Sequence, residues 1–378
     1  MMGDPIHESF PADTSALHIA LWLESQQFPQ ETGFVYSLTV AAKAEGCRIS
    51  LVAPVDADMS FLPSLGGSII SRPRPGKLFS RHTQHRTATA IMDRLKTTGV
   101  DVVLQFAPWN AKDPLDALLA REIAMVCWIW DTADLRAGQT LPADTTRLLV
   151  SSQPMLDQCG ADRSHISLIR PGILATDSQT LYRRPTERPA CLVCLDPISD
   201  YQAFADLLDA CHRLLDEKVG FLLFLCDRGN DVHSVWKLSG ELNLLDRISF
   251  IPYRYDIDPL LAQADLYIQL TAASRLNYTT LRAMARQIPV LANPGPNDEF
   301  CVKDQTCRVF EHGHPDMLAE LLREMLAHQA SGWELATRAA GHVRRYYAMS
   351  DVIAQVVAVC RQAAGLPLTM GNPAVRKA

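Results

Sequence analysis

Ser274-Arg-Leu-Asn-Tyr-Thr-Thr-Leu-Arg282-Ala-Met-Ala-Arg-Gln-Ile-Pro-Val290 follows closely on the apolar run Leu266-Tyr-Ile-Gln-Leu270. Together the two stretches spell strand, short polar loop, helix and strand. Asn277 stands where a helix N-cap belongs, because its side-chain oxygen can accept from the N–H groups that open a helix. Leu281, Ala283, Met284 and Ala285 form a small apolar frame that packs a helix onto a sheet. Val290-Leu-Ala292 is the next strand. A strand that reaches its neighbour through a helix is the crossover unit of a parallel α/β sheet.

The same alternation extends in both directions. Towards the N-terminus, Leu17–Leu23, Arg48–Ala53, Ser68–Ile70, Val100–Phe106, Ile123–Trp130 and Thr146–Val150 read as strands. A loop is expected over Ser25–Thr32, with helices over Phe34–Glu45 and near Thr87–Lys96. After a turn at Arg170-Pro-Gly172 the pattern restarts with strands at Ala190–Leu195, Val219–Cys226 and Ile248–Ile251, and it closes in helices from about Trp333 to Ala364. This predicts an α/β chain of two Rossmann-like, doubly wound domains facing a central cleft. The expected bounds are a loose tail over 1–16, domains over 17–172 and 173–345, and a C-terminal helix and tail over 346–378, the helix returning to the first domain. Sheets of this kind bind ligands at the carboxyl ends of their strands.

With 378 residues and 48% hydrophobic side chains, the chain can bury two cores. A net charge of −6 argues against nucleic acid as a partner. Neither a secretory leader nor a membrane-spanning run is read, and the expected compartment is cytoplasmic. The ten cysteines lack a disulfide rhythm, and several lie in apolar strands. Cys191 and Cys194 have a CxxC spacing, but residues three apart on a strand point to opposite faces, so a packing role is expected. No metal is expected. The one basic run, Arg72 to Lys96, offers either a solvated surface or a peripheral contact with an anionic acceptor or the inner face of a membrane.

Several landmarks, in order, resemble the GT-B glycosyltransferases of group 1, the family-four-like retaining enzymes that use nucleotide-sugars. Their donor-site segment reads Glu-x7-Glu-Ala-Met-Ala-x-Gly-x-Pro-Val; here Ala283-Met-Ala285 and Ile288-Pro-Val290 are kept, while Ser274 and Arg282 stand at the two glutamates. Phe28-Pro-Gln-Glu-Thr-Gly33 is similar to the loop after the first strand, with Gly33 left of a glycine pair. Cys127-Trp-Ile-Trp130-Asp131 is similar to the strand that ends in His-Asp, with Trp130 at the histidine. Leu225-Cys-Asp-Arg-Gly229 stands where Gly-x-Gly is usual. Leu195-Asp-Pro-Ile-Ser-Asp-Tyr201 stands where an Arg and a Lys usually meet the leaving diphosphate, and it holds two acids and no base.

The resemblance implies that Ser274, Asn277, Thr279, Thr280, Arg282 and Arg228 face a nucleotide-sugar donor. It implies that Asp131, the candidate catalytic residue, faces the acceptor with Gly33 and Trp130. A carboxylate suits vicinal hydroxyls because it accepts several hydrogen bonds, whereas an arginine only donates. Arg282 would therefore hold a phosphate or simply make a salt bridge. Trp130 would stack on a sugar or fill the core. Two functions stay open. One is a glycosyltransferase acting on a glycan or lipid-linked acceptor, the nucleotide-sugar being a substrate and no cofactor being needed. The other is an inactive pseudo-glycosyltransferase that serves as a binding or scaffold partner of another protein in a polysaccharide or glycosylation system.

Overall fold

The computed structural model describes residues 16–23, 29–54, 67–72, 81–106, 122–138, 146–160, 163–174, 188–252 and 257–367. The first domain strings β1 (His18–Trp22), α1 (Pro29–Ala44), β2 (Arg48–Pro54), β3 (Ser68–Arg72), α2 (Arg81–Thr97) and β4 (Val102–Gln105). It continues through β5 (Ala124–Ile129), α3 (Thr132–Gly138), β6 (Thr146–Val150), α4 (Gln153–Gln158) and β7 (Ile166–Leu168). All seven strands run parallel in the order β3-β2-β1-β4-β5-β6-β7.

The second domain strings β8 (Ala190–Cys194), α5 (Tyr201–Asp216), β9 (Phe221–Cys226), α6 (Val232–Glu241), β10 (Ile248–Ile251) and α7 (Asp258–Leu261). Then come β11 (Leu266–Gln269), α8 (Tyr278–Ala285), β12 (Val290–Ala292), β13 (Arg308–Val309), α9 (Pro315–Ala327) and α10 (Gln329–Tyr346). Its sheet is also parallel, in the order β10-β9-β8-β11-β12-β13. The last helix, α11 (Met349–Ala363), leaves this domain and packs on α1, β4, β5 and β6 of the first.

Both faces of each sheet are covered, which is why the strands are apolar throughout rather than alternating with polar residues. Along β1, Ile19 and Leu21 join one buried cluster while Ala20 and Trp22 join another on the opposite face. In β8, Cys191 and Val193 face the first of these clusters, and Leu192 and Cys194 face a third. The CxxC spacing is therefore a strand alternation inside two cores, and all ten thiols are free. The first cluster passes between the domains, joining Phe34, Trp128 and Trp130 to Tyr278, Leu281 and Met284 and to Val352 and Val356 of α11.

The structure differs from the sequence expectation in three places. Within the loop expected over Ser25–Thr32, α1 already begins at Pro29, a residue whose fixed φ and missing N–H suit a first helical turn. The helix near Thr87–Lys96 begins earlier, at Arg81, in a stretch too polar to show an apolar period. The short strand β7 and the helices α3 and α4 are added, each too brief for periodicity to reveal. No helix among the described residues is long and apolar enough to cross a membrane.

Candidate functional site

In each sheet the strand order reverses at one point, and the crevice there is the usual ligand site. For the second sheet it lies between β8 and β11. The chain leaving β8 places Asp196 at that point, fully buried. Its Oδ2 accepts from the backbone N–H groups of Leu270 (2.8 Å) and Thr271 (2.9 Å) and from the Thr271 hydroxyl (3.1 Å). Its Oδ1 accepts from Nδ2 of Asn277 at 3.0 Å. Burial pushes the Asp196 carboxyl above its ordinary range, and these donors pull it back.

A second buried acid, Asp298, lies beside this group. It accepts from Gln269 Nε2 (2.6 Å), the Asn277 backbone N–H (2.8 Å) and the Gly295 N–H (3.0 Å). The Gln269 oxygen in turn accepts from the Thr280 hydroxyl at 2.7 Å. Asn277 caps α8 as expected, taking the Thr280 N–H at 3.1 Å. Asn277, Thr279 and Thr280 are thus all buried, and the side-chain bonds of Asn277 and Thr280 run to protein partners.

Arg282 faces elsewhere. Its guanidinium meets Asp258 Oδ1 at 2.6 Å, and Arg286 meets Oδ2 of the same carboxylate at 2.7 Å. The ion-pair reading of Arg282 accounts for what is seen. Arg228 is half-buried on the β9–α6 loop, where its carbonyl accepts from the Ile198 N–H at 2.6 Å.

The opposite wall belongs to the first domain. Ser274 donates its hydroxyl to Asp131 Oδ1 at 2.6 Å, and the Ala133 N–H donates to the same oxygen at 2.8 Å. Asp131 and Arg275 form an antiparallel bridge across the two domains, and the Leu276 N–H donates to the Trp130 carbonyl at 3.0 Å. Asn297 extends this seam, donating to Thr132 Oγ1 at 2.7 Å and accepting from Ser152 Oγ at 2.8 Å. Glu299 accepts from Arg170 Nε at 2.5 Å. Asn297, Asp298 and Glu299 were not singled out in the sequence, although Asn293-Pro-Gly-Pro-Asn297 after a strand is a turn-rich signal at the carboxyl end of the sheet.

Two acceptor-side residues lie away from the crevice surface. Trp130 is 1% exposed and packs against Phe34 (ring centroids 4.7 Å) and Tyr278 (5.7 Å), so it fills the core and offers no face to a sugar. Gly33 is buried within α1, and its carbonyl accepts from the Ser37 hydroxyl at 3.1 Å. Of the basic run, Arg86, Arg94 and Lys96 are exposed on α2, Lys96 pairing with Glu122; residues 73–80 lie outside the described residues. No metal-binding group of acids, histidines and cysteines occurs among the described residues.

The buried acids predict a pH dependence. Burial raises Asp298 to about 6, and burial with the neighbouring Asp131 raises Asp134 to about 6. Both bind their protons more tightly folded than unfolded, so their stabilisation is complete below the ordinary value near 3.8 and is lost as pH rises through about 6. The lowered His18 and His342 act in the opposite sense over the same range, so the check is a difference: Asp134→Asn should fall less in melting temperature between pH 4.5 and pH 7 than the wild type, and parallel profiles would contradict this assignment.

Two parallel sheets facing one crevice, with a C-terminal helix crossing back, make this a GT-B fold. The chain has the fold of a glycosyltransferase crystallised from Rickettsia africae ESF-5, at TM-score 0.71 and 13% identity over 92% of this chain and 98% of that one. Anabaena HepE, solved with UDP and glucose, superposes at TM-score 0.70 and 15% identity over 90% of this chain and 98% of that one. Sucrose-phosphate synthase of Thermosynechococcus elongatus does so at TM-score 0.68 and 15% identity over 92% and 98%. Residues 183–344, the body of the second domain, match the family described as glycosyl transferases group 1. The second domain thus resembles the glycosyl transferases of group 1, the family to which the donor-site frame points, and the whole chain shares the fold of these solved glycosyltransferases. No curated protein matches the sequence.

Proposed function

We propose that this glycosyltransferase-like protein binds a nucleotide-sugar at the carboxyl ends of β8 and β11, with a glycan or lipid-linked acceptor approaching from the first domain. The observation that carries the reading is positional. The switch point of the group 1-matching domain lies beside the seam where Ser274 and Asn297 meet Asp131 and Thr132 of the first domain, which supports a ligand held where the two domains adjoin. Asp131, partly exposed at that seam, is the carboxylate we assign to hydroxyl recognition. HepE, of the same fold, was solved with UDP-glucose.

A ligand that binds only the folded state stabilises it by RT ln(1 + [L]/Kd), about 2.7 kcal/mol at a hundredfold excess over Kd. UDP, GDP, ADP and their glucose and N-acetylglucosamine conjugates should therefore include at least one that raises the melting temperature by several degrees. No shift with any of them would sink the reading.

A second reading, binding without transfer, is favoured by one observation. Breaking a sugar–diphosphate bond leaves negative charge on the departing oxygen, and enzymes meet it with fixed donors or cations. At the end of β8 this chain places the Asp196 carboxylate, which takes up the N–H groups of Leu270 and Thr271 itself. On this reading a stabilising nucleotide-sugar is neither hydrolysed nor consumed when followed by phosphorus NMR; its steady consumption would return the protein to the transferases.

A further inference from the structure

One strand outward from the crevice, the carboxyl ends of β9 and β10 and the start of α6 enclose an open recess of about 700 Å³. Asp227, Asn230, Val232, His233, Trp236 and Phe250 line it. Trp236 is 50% exposed, in a chain whose Trp22, Trp128 and Trp130 are fully buried. One isolated exposed aromatic would need no explanation. Trp236 is not isolated: the His233 imidazole lies beside it, centroids 6.2 Å apart and planes 19° from parallel. Phe250 and Val232 supply an apolar floor.

Polar groups surround this ring. Asp227 and Asn230 are exposed, and among the described residues neither side chain has a hydrogen-bond or ion-pair partner. The loop that carries them is nevertheless fixed. The Asp227 N–H donates to the Ile251 carbonyl at 2.8 Å, the Ile198 N–H to the Arg228 carbonyl at 2.6 Å, and the Asp231 N–H to the Ile198 carbonyl at 3.0 Å. Gly229 has φ +120°, and a Cβ there would lie 2.1 Å from the Ile198 carbonyl oxygen, so only glycine allows this approach. The recess is therefore preorganised, which lowers the entropy cost of binding.

We propose that this recess, one strand outward from the switch point between β8 and β11, is a carbohydrate-binding subsite for a hexopyranose ring, formed by Trp236, His233, Asp227 and Asn230. A pyranose has one face of C–H groups and a rim of hydroxyls. The indole supplies an apolar surface for the face, the carboxylate accepts from two neighbouring hydroxyls, and the amide both donates and accepts. A phosphorylated ligand would meet the Asp227 carboxylate, with no lysine or arginine among the lining residues to balance its charge. The proposal does not depend on nucleotide binding in the crevice, and its test uses no nucleotide-sugar.

The experiment is saturation-transfer difference NMR on the full chain with methyl β-glucopyranoside, methyl β-galactopyranoside and cellobiose, with uridine and adenosine monophosphate in parallel. At least one of the three saccharides should bind, receiving saturation most strongly on its ring C–H protons. Trp236→Ala should weaken that binding at least tenfold, and Asp227→Asn severalfold. Both positions are exposed, so both variants should keep the wild-type melting temperature. Should Trp236→Ala fail to fold, Asp227→Asn alone decides between the outcomes. Absence of binding by all three saccharides, saccharide binding unchanged in the variants, or a Trp236 effect confined to the monophosphates would each overturn the proposal.

Discussion

Asp196→Ala should cost about 4 kcal/mol of folding free energy, seen as a melting temperature roughly 10 °C lower and an earlier urea midpoint. The effect is large because the carboxylate is fully buried and four donors converge on it: two backbone N–H groups, the Thr271 hydroxyl and the Asn277 amide. Alanine abandons all four, and each buried donor without a partner costs on the order of 1–3 kcal/mol. Relaxation of the loop recovers part of that sum.

Asp196→Asn is the sharper comparison. Its one oxygen can face Leu270 and Thr271, but its NH2 must then face the NH2 of Asn277, whose own oxygen is committed to the Thr280 N–H. The loss should be near 1–2 kcal/mol. An alanine variant as stable as the asparagine variant would show that the carboxylate is not the keystone of this crevice. If nucleotide binding also survives in the asparagine variant, the donor is held by groups other than the Asp196 network.

How far the sequence alone reveals this molecule depends on the range of the interaction. The parallel sheets were legible because strand alternation and helix periodicity are local: Ala20 and Ile19, or Cys191 and Cys194, fall into opposite cores as their spacing requires. The cap at Asn277 was legible for the same reason, since donor and acceptor lie three residues apart. The crevice was legible only as a set of positions. Ser274 and Asp131 are 143 residues apart, and nothing near either one announces that they share a hydrogen bond. Asp196 reads as one more acid in a loop until the fold encloses it, and Arg282 gives no hint that Asp258 is its partner. Polar roles are fixed by which oxygens and nitrogens the tertiary fold brings together, and a single sequence does not encode that as a pattern.

Tyr278→Ala should destabilise the chain by about 4 kcal/mol and loosen the two domains against each other. Tyr278 opens α8 in the second domain, yet its ring packs edge-on to Phe34 of the first domain (centroids 5.3 Å) and lies 5.7 Å from Trp130. Its hydroxyl donates to the Gly172 carbonyl at 2.9 Å, in the segment that joins the domains. Truncation removes a fully buried ring and leaves that carbonyl to find another donor. Tyr278→Phe separates the two contributions: it keeps the ring stack and forfeits only the hydrogen bond, so its cost should stay near 1 kcal/mol. Because the stack spans the domains, the alanine variant should also expand in small-angle X-ray scattering and lose amide-exchange protection around Phe34 and Trp130. A variant less stable but unchanged in radius and protection would show that Tyr278 only fills the second domain's core. An expanded variant would establish that the apolar stack around Tyr278 sets how closely the two domains pack.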